Sequence, residues 1–473
     1  MTLKTRRKRA AERRKPRRDR GKKLIRNRTT SRIGLRRRLQ RLRRKQPIRR
    51  RRRHRRLNLL FVVHSFFPES YAGTEKFVLN QAKSLSAKGH RVKIVTYSNR
   101  NPELFTAAIG DVLYREYIHE GVPVLAYRHS RSDPAKTFDI SNNDLLLFSQ
   151  SVIRKEKPHL VHFGHPLRGM EFMQACIQLR TRYVVTLTDF WFLCPKNTLL
   201  RNDQALCAGP DNGRNCLIHC QIPDVEQRLQ SHIPLLRSAS RIVSPSTFLA
   251  SVFRSHLPDM QVDVIHHGMN LENIRVNERS YQPGDSLTLF YGGTLVPHKG
   301  VHLILQAMSL IPSDRLKLRI YGSGPEEYVR KLEHAASLDG RVEMLGVYTA
   351  NDIPNIYQQV DVAVIPSIWY ENHPLALQEA LASQVPAIAT NVGGMAEKVI
   401  DGYNGLAFRI GDPSHLAERI TELLDNPAML NVFKANMKQT RFPAVEQEAA
   451  AYERIYYSIV QPRISRRARK QNP

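Results

Sequence analysis

Two glutamates eight positions apart, Glu371 and Glu379, bracket the stretch ENHPLALQE (371–379). Carboxylates so spaced admit three chemistries: an acid/base pair, two contacts on one elongated ligand, or solvated surface charges. The preceding VAVIPS (362–367) has the texture of a buried strand, and PLALQEALAS has helical spacing with Pro374 in its first turn. Glu371 is thus predicted in the loop before a helix and Glu379 about two turns up it. At ~1.5 Å of rise per residue their Cα atoms are roughly 10 Å apart or more. That separation suits two contacts on a long ligand better than a shared proton. Between them the N–H groups of Leu375 and Ala376 sit at a helix N-terminus, which favours phosphate.

Glycine turns recur at strand ends in the same half: FYGGTLVPHKG (290–300), IYGSGP (320–325) and NVGGMAE (391–397). Lys299, just before a helix, is placed to neutralise a phosphate. A second group is thiol-rich. Residues 190–223 hold four of the five cysteines, Cys194, Cys207, Cys216 and Cys220, spaced C-x12-C-x8-C-x3-C. Four thiolates this close can hold a structural zinc, although paired CxxC knuckles are absent and His219 competes as a ligand. Reduced thiols and a disulfide are the alternatives. Cys176, in FMQACIQLR, reads as core.

The elements that carry these groups follow from hydrophobic patterning. LNLLFVVHS, a loop, a helical stretch ending at Gly89, and HRVKIVTYS spell strand, helix, strand, the unit of a parallel sheet. Strand-like runs recur at 159–166, 182–190, 241–246 and 262–268. NERSYQPGDS (277–286) reads as a linker, after which the series restarts at 287–293, 316–324, 342–348, 362–367 and 386–391. The organisation expected is α/β: two facing doubly wound, Rossmann-like domains with a cleft between them. The divisions are a disordered basic tail (1–56), a first domain (57–280), a second (281–445), and a terminal helix with a basic tail (446–473). Open α/β sheets bind ligands at the carboxyl ends of their strands, so an elongated anion in the cleft follows from architecture alone.

The formal charge of +32 is localised. Residues 1–56 hold 30 of the 74 Lys/Arg and two of the 42 acids, leaving 44 bases against 40 acids in the body. The arm has too little apolar content to fold and no aromatics for base stacking, so specific nucleic-acid readout is not expected. Anionic phospholipid, an RNA-like polyanion, or a translation start nearer Leu57 each account for it. No apolar run is long enough to span a bilayer. RRLNLLFVVHSFF reads as a first buried strand and not a signal peptide, and five cysteines suit a reducing cytoplasm.

In this order and spacing, FYGGTLVPHKGVHLILQAM, LRIYGSGPEE, ENHPLALQE, VPAIATNVGGMAEKVIDGYNGLAF and SYAGTEKFVLNQAKSLSAKGHRV resemble the retaining glycosyltransferases of family 4, on the GT-B fold, across essentially all of 57–460. The resemblance implies a nucleotide-sugar donor held mainly by the second domain, with Glu379 on the ribose hydroxyls, Glu371 against the transferred sugar, and Lys299 on the diphosphate. It places Gly73 near phosphate and acceptor, with Thr294, Asn372 and Leu375 lining the donor site. It also implies Glu371, Lys299 and Asp189 as the catalytic set, no obligatory metal, and a saccharide or lipid-linked acceptor. Three departures stand out: Thr294 replaces a basic residue, Pro374 a glycine, and Thr188 a histidine before Asp189. His162 and His165, one strand earlier, are the candidates to compensate. The reading is a cytoplasmic or peripheral-membrane transferase. Its rivals are a nucleotide-sugar epimerase on the same fold and a non-catalytic polyanion-binding protein.

Overall fold

The computed structural model describes residues 55–131 and 142–460; the expectations for the arm before residue 55 and the tail after 460 lie outside them. The first sheet contains β1 (Asn58–Val63), β2 (Arg91–Tyr97), β3 (Ala107–Ile109), β4 (Val112–His119), β5 (Val122–His129), β6 (Leu160–Phe163), β7 (Tyr183–Thr186), β8 (Arg241–Ser244) and β9 (Val262–Val264). Their order is β3-β4-β5-β2-β1-β6-β7-β8-β9, parallel except for the antiparallel β3-β4-β5 edge. β1 is buried on both faces from Leu59 onward, which is why it reads as a continuous apolar run rather than an alternating one. The helix Gly73–Ala87 buries Phe77, Val78, Ala82 and Leu85, the stripe its spacing predicts.

The β3-β4-β5 edge was not anticipated. Its signal is present: Glu120 and Gly121 both take positive φ in a two-residue turn between β4 and β5, the conformation tight hairpins require.

The second sheet is wholly parallel: β10 (Leu287–Gly292), β11 (Leu316–Tyr321), β12 (Val342–Met344), β13 (Val362–Ile365), β14 (Ala387–Thr390) and β15 (Gly405–Phe408), ordered β12-β11-β10-β13-β14-β15. Each sheet therefore reverses its direction of winding once, between β1 and β6 in the first and between β10 and β13 in the second. Those are the switch points where crevices open in doubly wound folds.

The last helix, Val445–Val460, returns to the first domain. Tyr452 and Tyr456 are fully buried in the core that holds β1, and the backbone pairs Met269 with Ala444 where the chain crosses back. His162 is consumed there: Nδ1 lies 2.6 Å from Tyr456 Oη and Nε2 2.7 Å from Thr186 Oγ1. Burial drives its imidazole down to about 3, so it is a neutral core residue and no substitute for Thr188.

Candidate active site

At the second switch point, β13 ends into Ser367 and the loop that carries Glu371, while β10 ends into the glycine turn before Lys299. The two side chains meet: Lys299 Nζ lies 2.5 Å from Glu371 Oε1. The same oxygen accepts from Ser367 Oγ at 2.8 Å and Trp369 Nε1 at 3.1 Å. The ammonium also sits 5.2 Å from the Trp369 ring centroid. Burial pushes the Glu371 carboxyl up, but Lys299 and the hydrogen bonds outweigh it and hold the group below its ordinary value. A buried, ionised carboxylate paired with one cation is thus preset at the strand ends.

Glycines make this loop possible. A Cβ on Gly394 would stand 2.1 Å from Asn372 O, and Gly394 N–H donates to Glu371 O at 2.6 Å. Gly300, at φ 74°, brings the turn after Lys299 against Pro366 O, where a Cβ would come within 2.0 Å. The NVGG and HKG turns therefore act on the Glu371 loop through close backbone approach.

Pro374 caps the helix Leu375–Ala382 one residue outside it, a shift of one position from the first-turn placement predicted for it. Opposite lies the start of Gly73–Ala87: a Cβ on Gly73 would touch Leu375 Cδ1 at 4.0 Å. Two helix N-termini from different domains therefore face one another, each with first-turn amides that lack intrahelical partners. Glu379 follows about one turn up, not the two that the spacing predicts. Burial raises its carboxyl to about 7, opposed by Lys76 from the facing helix. Thr294 is exposed on the second-domain side, its carbonyl accepting from Tyr291 Oη at 2.9 Å.

At the first switch point, His64 (after β1) and His165 (after β6) pack with ring centroids 4.4 Å apart. His165 Nδ1 accepts from Leu167 N–H at 3.1 Å, which leaves Nε2 as the donor to Asp189 Oδ2 at 2.9 Å. Asp189 Oδ1 accepts from Trp191 N–H at 2.8 Å. Burial raises the Asp189 carboxyl, yet His165 and these hydrogen bonds bring it below its ordinary value. His165 has no lone pair left to act as a base; it orients an ionised Asp189. His64 Nε2 lies 3.5 Å from the buried Glu75. Its Nδ1 is buried without a partner, and burial lowers the ring to about 3.

The halves are stitched beside these groups. Asn372 Nδ2 donates to Thr188 O at 3.0 Å, and Tyr370 packs on Phe248 and Phe190. Glu397 accepts from Thr247 N–H at 3.2 Å and from Phe248 N–H, capping the helix Thr247–His256 across the boundary. The structure thus gathers Glu371, Lys299, Asn372, Leu375, Glu379 and Gly73 at one cleft, with Asp189 beside Thr188 on its far wall. Sequence reasoning missed His64, Glu75, Ser367 and Trp369. Only His64 carried a signal, as a polar residue at the carboxyl end of the first strand.

Cys194, Cys207, Cys216 and Cys220 line one cavity, but no three of their sulfurs lie within 4.8 Å of one another. Among the described residues the one trio of ligand atoms that close is Asp111, His129 and Asp144. There Arg131 already pairs with Asp111 at 3.3 Å, and its N–H donates to His129 Nδ1 at 3.1 Å.

Residues 71–273 match the family described as Glycosyltransferase Family 4, and residues 274–440 the one described as Glycosyl transferases group 1. The chain is 25% identical to the D-inositol 3-phosphate glycosyltransferase of Mycolicibacterium smegmatis over 381 residues, 76% of this chain and 80% of that protein. It is 29% identical to an uncharacterized glycosyltransferase of Methanocaldococcus jannaschii over 204 residues, 43% of this chain and about half (54%) of that one. Among solved structures, sucrose-phosphate synthase of Thermosynechococcus elongatus superposes with a TM-score of 0.65 at 20% identity, covering 86% of this chain and 99% of that one. Anabaena HepE, in complex with UDP and glucose, gives 0.62 at 16% identity, covering 85% and 100%. Two switch-point crevices facing across one cleft, with both family matches falling on the corresponding halves, place the chain among the group 1 glycosyltransferases of the GT-B fold.

Proposed function

We propose that the enzyme transfers a sugar, with retention of anomeric configuration, from a nucleotide-sugar donor to a saccharide or lipid-linked saccharide acceptor. The observation that carries this reading is the convergence of the Leu375 and Gly73 helix N-termini with Lys299. Three positive features aimed at one region suit a diphosphate without a metal ion. In this arrangement the diphosphate takes Lys299 from Glu371, and the released carboxylate accepts from hydroxyls of the transferred sugar. Glu379, about 6 Å along the helix from Leu375, accepts from the ribose hydroxyls. Asp189, held by His165, orients the acceptor hydroxyl. The sugar–phosphate C–O bond breaks as the acceptor oxygen bonds the same face of C1, and the acceptor proton passes to the leaving diphosphate. Lys299 and the helix dipoles offset the charge that develops there. The cationic arm (1–56) suits anionic phospholipid and so a peripheral position on the inner membrane face, where lipid-linked acceptors would lie. HepE's complex with UDP and glucose supports a uridine nucleotide as the first donor to test.

The test is a panel of UDP-, GDP- and ADP-sugars with the full chain, reading melting temperature, nucleotide release and the anomeric configuration of the product. Stabilisation by one nucleotide class with acceptor-dependent release and retained configuration is expected. Acceptor-free conversion of the sugar would instead assign an epimerase. No stabilisation and no release with any donor would overturn the donor reading.

A further inference from the structure

The loop between β7 and the helix Val225–Arg237 is long and held by little regular structure, with left-handed backbone at Asn197, Leu199, Gln204, Asp211, Asn212, Gln221 and Asp224. Such a segment needs ties of its own. Four cysteines converge inside it. The bridge Leu200–Leu206 and the Cys207 N–H bond to Leu199 O at 2.7 Å close a hairpin that carries Cys207 back toward Cys194. Cys216 and Cys220 stand at i and i+4 of the helix Arg214–Cys220, hence on one face, while Leu217 and Ile218 point outward. All four line a cavity of about 10 Å³, close to the room one water-sized body needs. His219 does not line it.

Two further observations point to a cation in that cavity. Gly209 N–H donates to Cys207 Sγ at 3.4 Å. Amides aimed at sulfur stabilise thiolates. Arg228 is 4% exposed, stacked 4.6 Å from the Trp191 ring centroid, and donates only to the carbonyls of Trp191 and Phe192, with Nε unpartnered. No carboxylate forms an ion pair with it among the described residues. A buried guanidinium is costly without counter-charge, and Cys194, Cys216 and Asp189 all lie within its electrostatic reach. A divalent cation with four thiolates carries a net charge of −2 and adds to the counter-charge that Asp189 supplies.

We propose that Cys194, Cys207, Cys216 and Cys220 form a tetrathiolate site for one zinc-class divalent cation, which fixes the loop carrying Asp189 and Trp191. Binding releases the thiol protons to solvent and draws the four sulfurs inward from the cavity walls. The site is structural and takes no part in sugar transfer, so its failure would leave the donor reading intact. Cys194 lies one hydrogen-bonded turn from the catalytic side: its N–H bonds Phe190 O at 2.7 Å, next to Asp189.

The experiment measures metal content of the full chain purified without chelators, alongside Cys216→Ser and the control Cys176→Ser. One equivalent of zinc is expected in the natural chain and the control, and background in Cys216→Ser. Because that variant can fail to fold, cobalt is also titrated into the metal-stripped natural chain. Thiolate-to-cobalt charge transfer with tetrahedral visible bands supports the site. Five freely titrating thiols with no cobalt bands, or a disulfide that removes two thiols from the count, would overturn it.

Discussion

Replacing Glu371 by Gln keeps the size of the side chain and its capacity to accept from Ser367 and Trp369, but removes the charge that holds Lys299. The pair is well shielded, with side-chain exposures of 8% for Glu371 and 25% for Lys299. A hydrogen bond to a charged group contributes about 1.5–3 kcal/mol net. In the empty enzyme that contribution opposes diphosphate binding, because the ligand must first separate the pair. Glu371→Gln is therefore expected to bind free nucleoside diphosphate about tenfold more tightly, the equivalent of ~1.4 kcal/mol. Turnover should move the other way, by about a hundredfold or more, because the charge facing the sugar is lost when positive charge develops at C1. Calorimetric titration with the nucleoside diphosphate, paired with single-turnover transfer, reads both quantities. Parallel weakening of nucleotide affinity and turnover would refute the argument, since it would mean that Glu371 holds the nucleotide directly and does not compete for Lys299.

Lys299→Ala leaves a buried carboxylate with neutral donors alone and should cost about 3–5 kcal/mol in a denaturant titration. Glu379 ionises in the unfolded chain near its ordinary value but near 7 when folded, so its contribution to the stability of the ligand-free enzyme falls as pH rises from about 4.5 to about 7. Ribose hydroxyls favour the ionised form, so nucleotide affinity should drop as pH falls below about 7, and Glu379→Gln should flatten both profiles. Gly394→Ala forces a methyl group into the Asn372 carbonyl and should cost about 1–3 kcal/mol along with activity. Gly340→Ala, which meets nothing within 4 Å, should stay within about 0.5 kcal/mol of the natural chain. His162→Ala strands the Tyr456 and Thr186 hydroxyls and should lower stability by about 2 kcal/mol or more, whereas His165→Ala should depress acceptor turnover and leave nucleotide affinity unchanged.

Much of this architecture was readable because parallel strands, buried on both faces, leave continuous apolar runs, and helices between them leave a 3.6-residue stripe. The runs at 57–65 and 287–293 became the central strands β1 and β10 for that reason. The β3-β4-β5 edge escaped because it is half solvated, and β4 buries only Val112 fully. The Glu371–Lys299 contact could be placed on the right strand ends but not anticipated as a direct ion pair, since 72 residues separate its partners. The two histidines of HFGH illustrate the limit of local pattern. Three positions apart, His162 faces a core completed by a helix nearly 300 residues later, while His165 faces Asp189. Which of them faces the cleft and which the core is decided by tertiary partners that no window of sequence contains.

The backbone pairing of Met269 with Ala444 gives the second domain an unusual standing in the chain. Its two ends meet at a single bridge, and Gly268 sits so close that a Cβ would reach Ala444 O at 2.5 Å. The first domain is sewn shut on both sides of that bridge, by β9 before it and by Tyr452 and Tyr456 after it. In folding terms the second domain is a cassette carried by a host whose own core is closed only by a helix that follows the cassette. Chimeras that exchange residues 270–443 as one block thus keep both flanking pieces of the host together, whereas a truncation between residues 445 and 451 leaves the first domain without the tyrosines that close it.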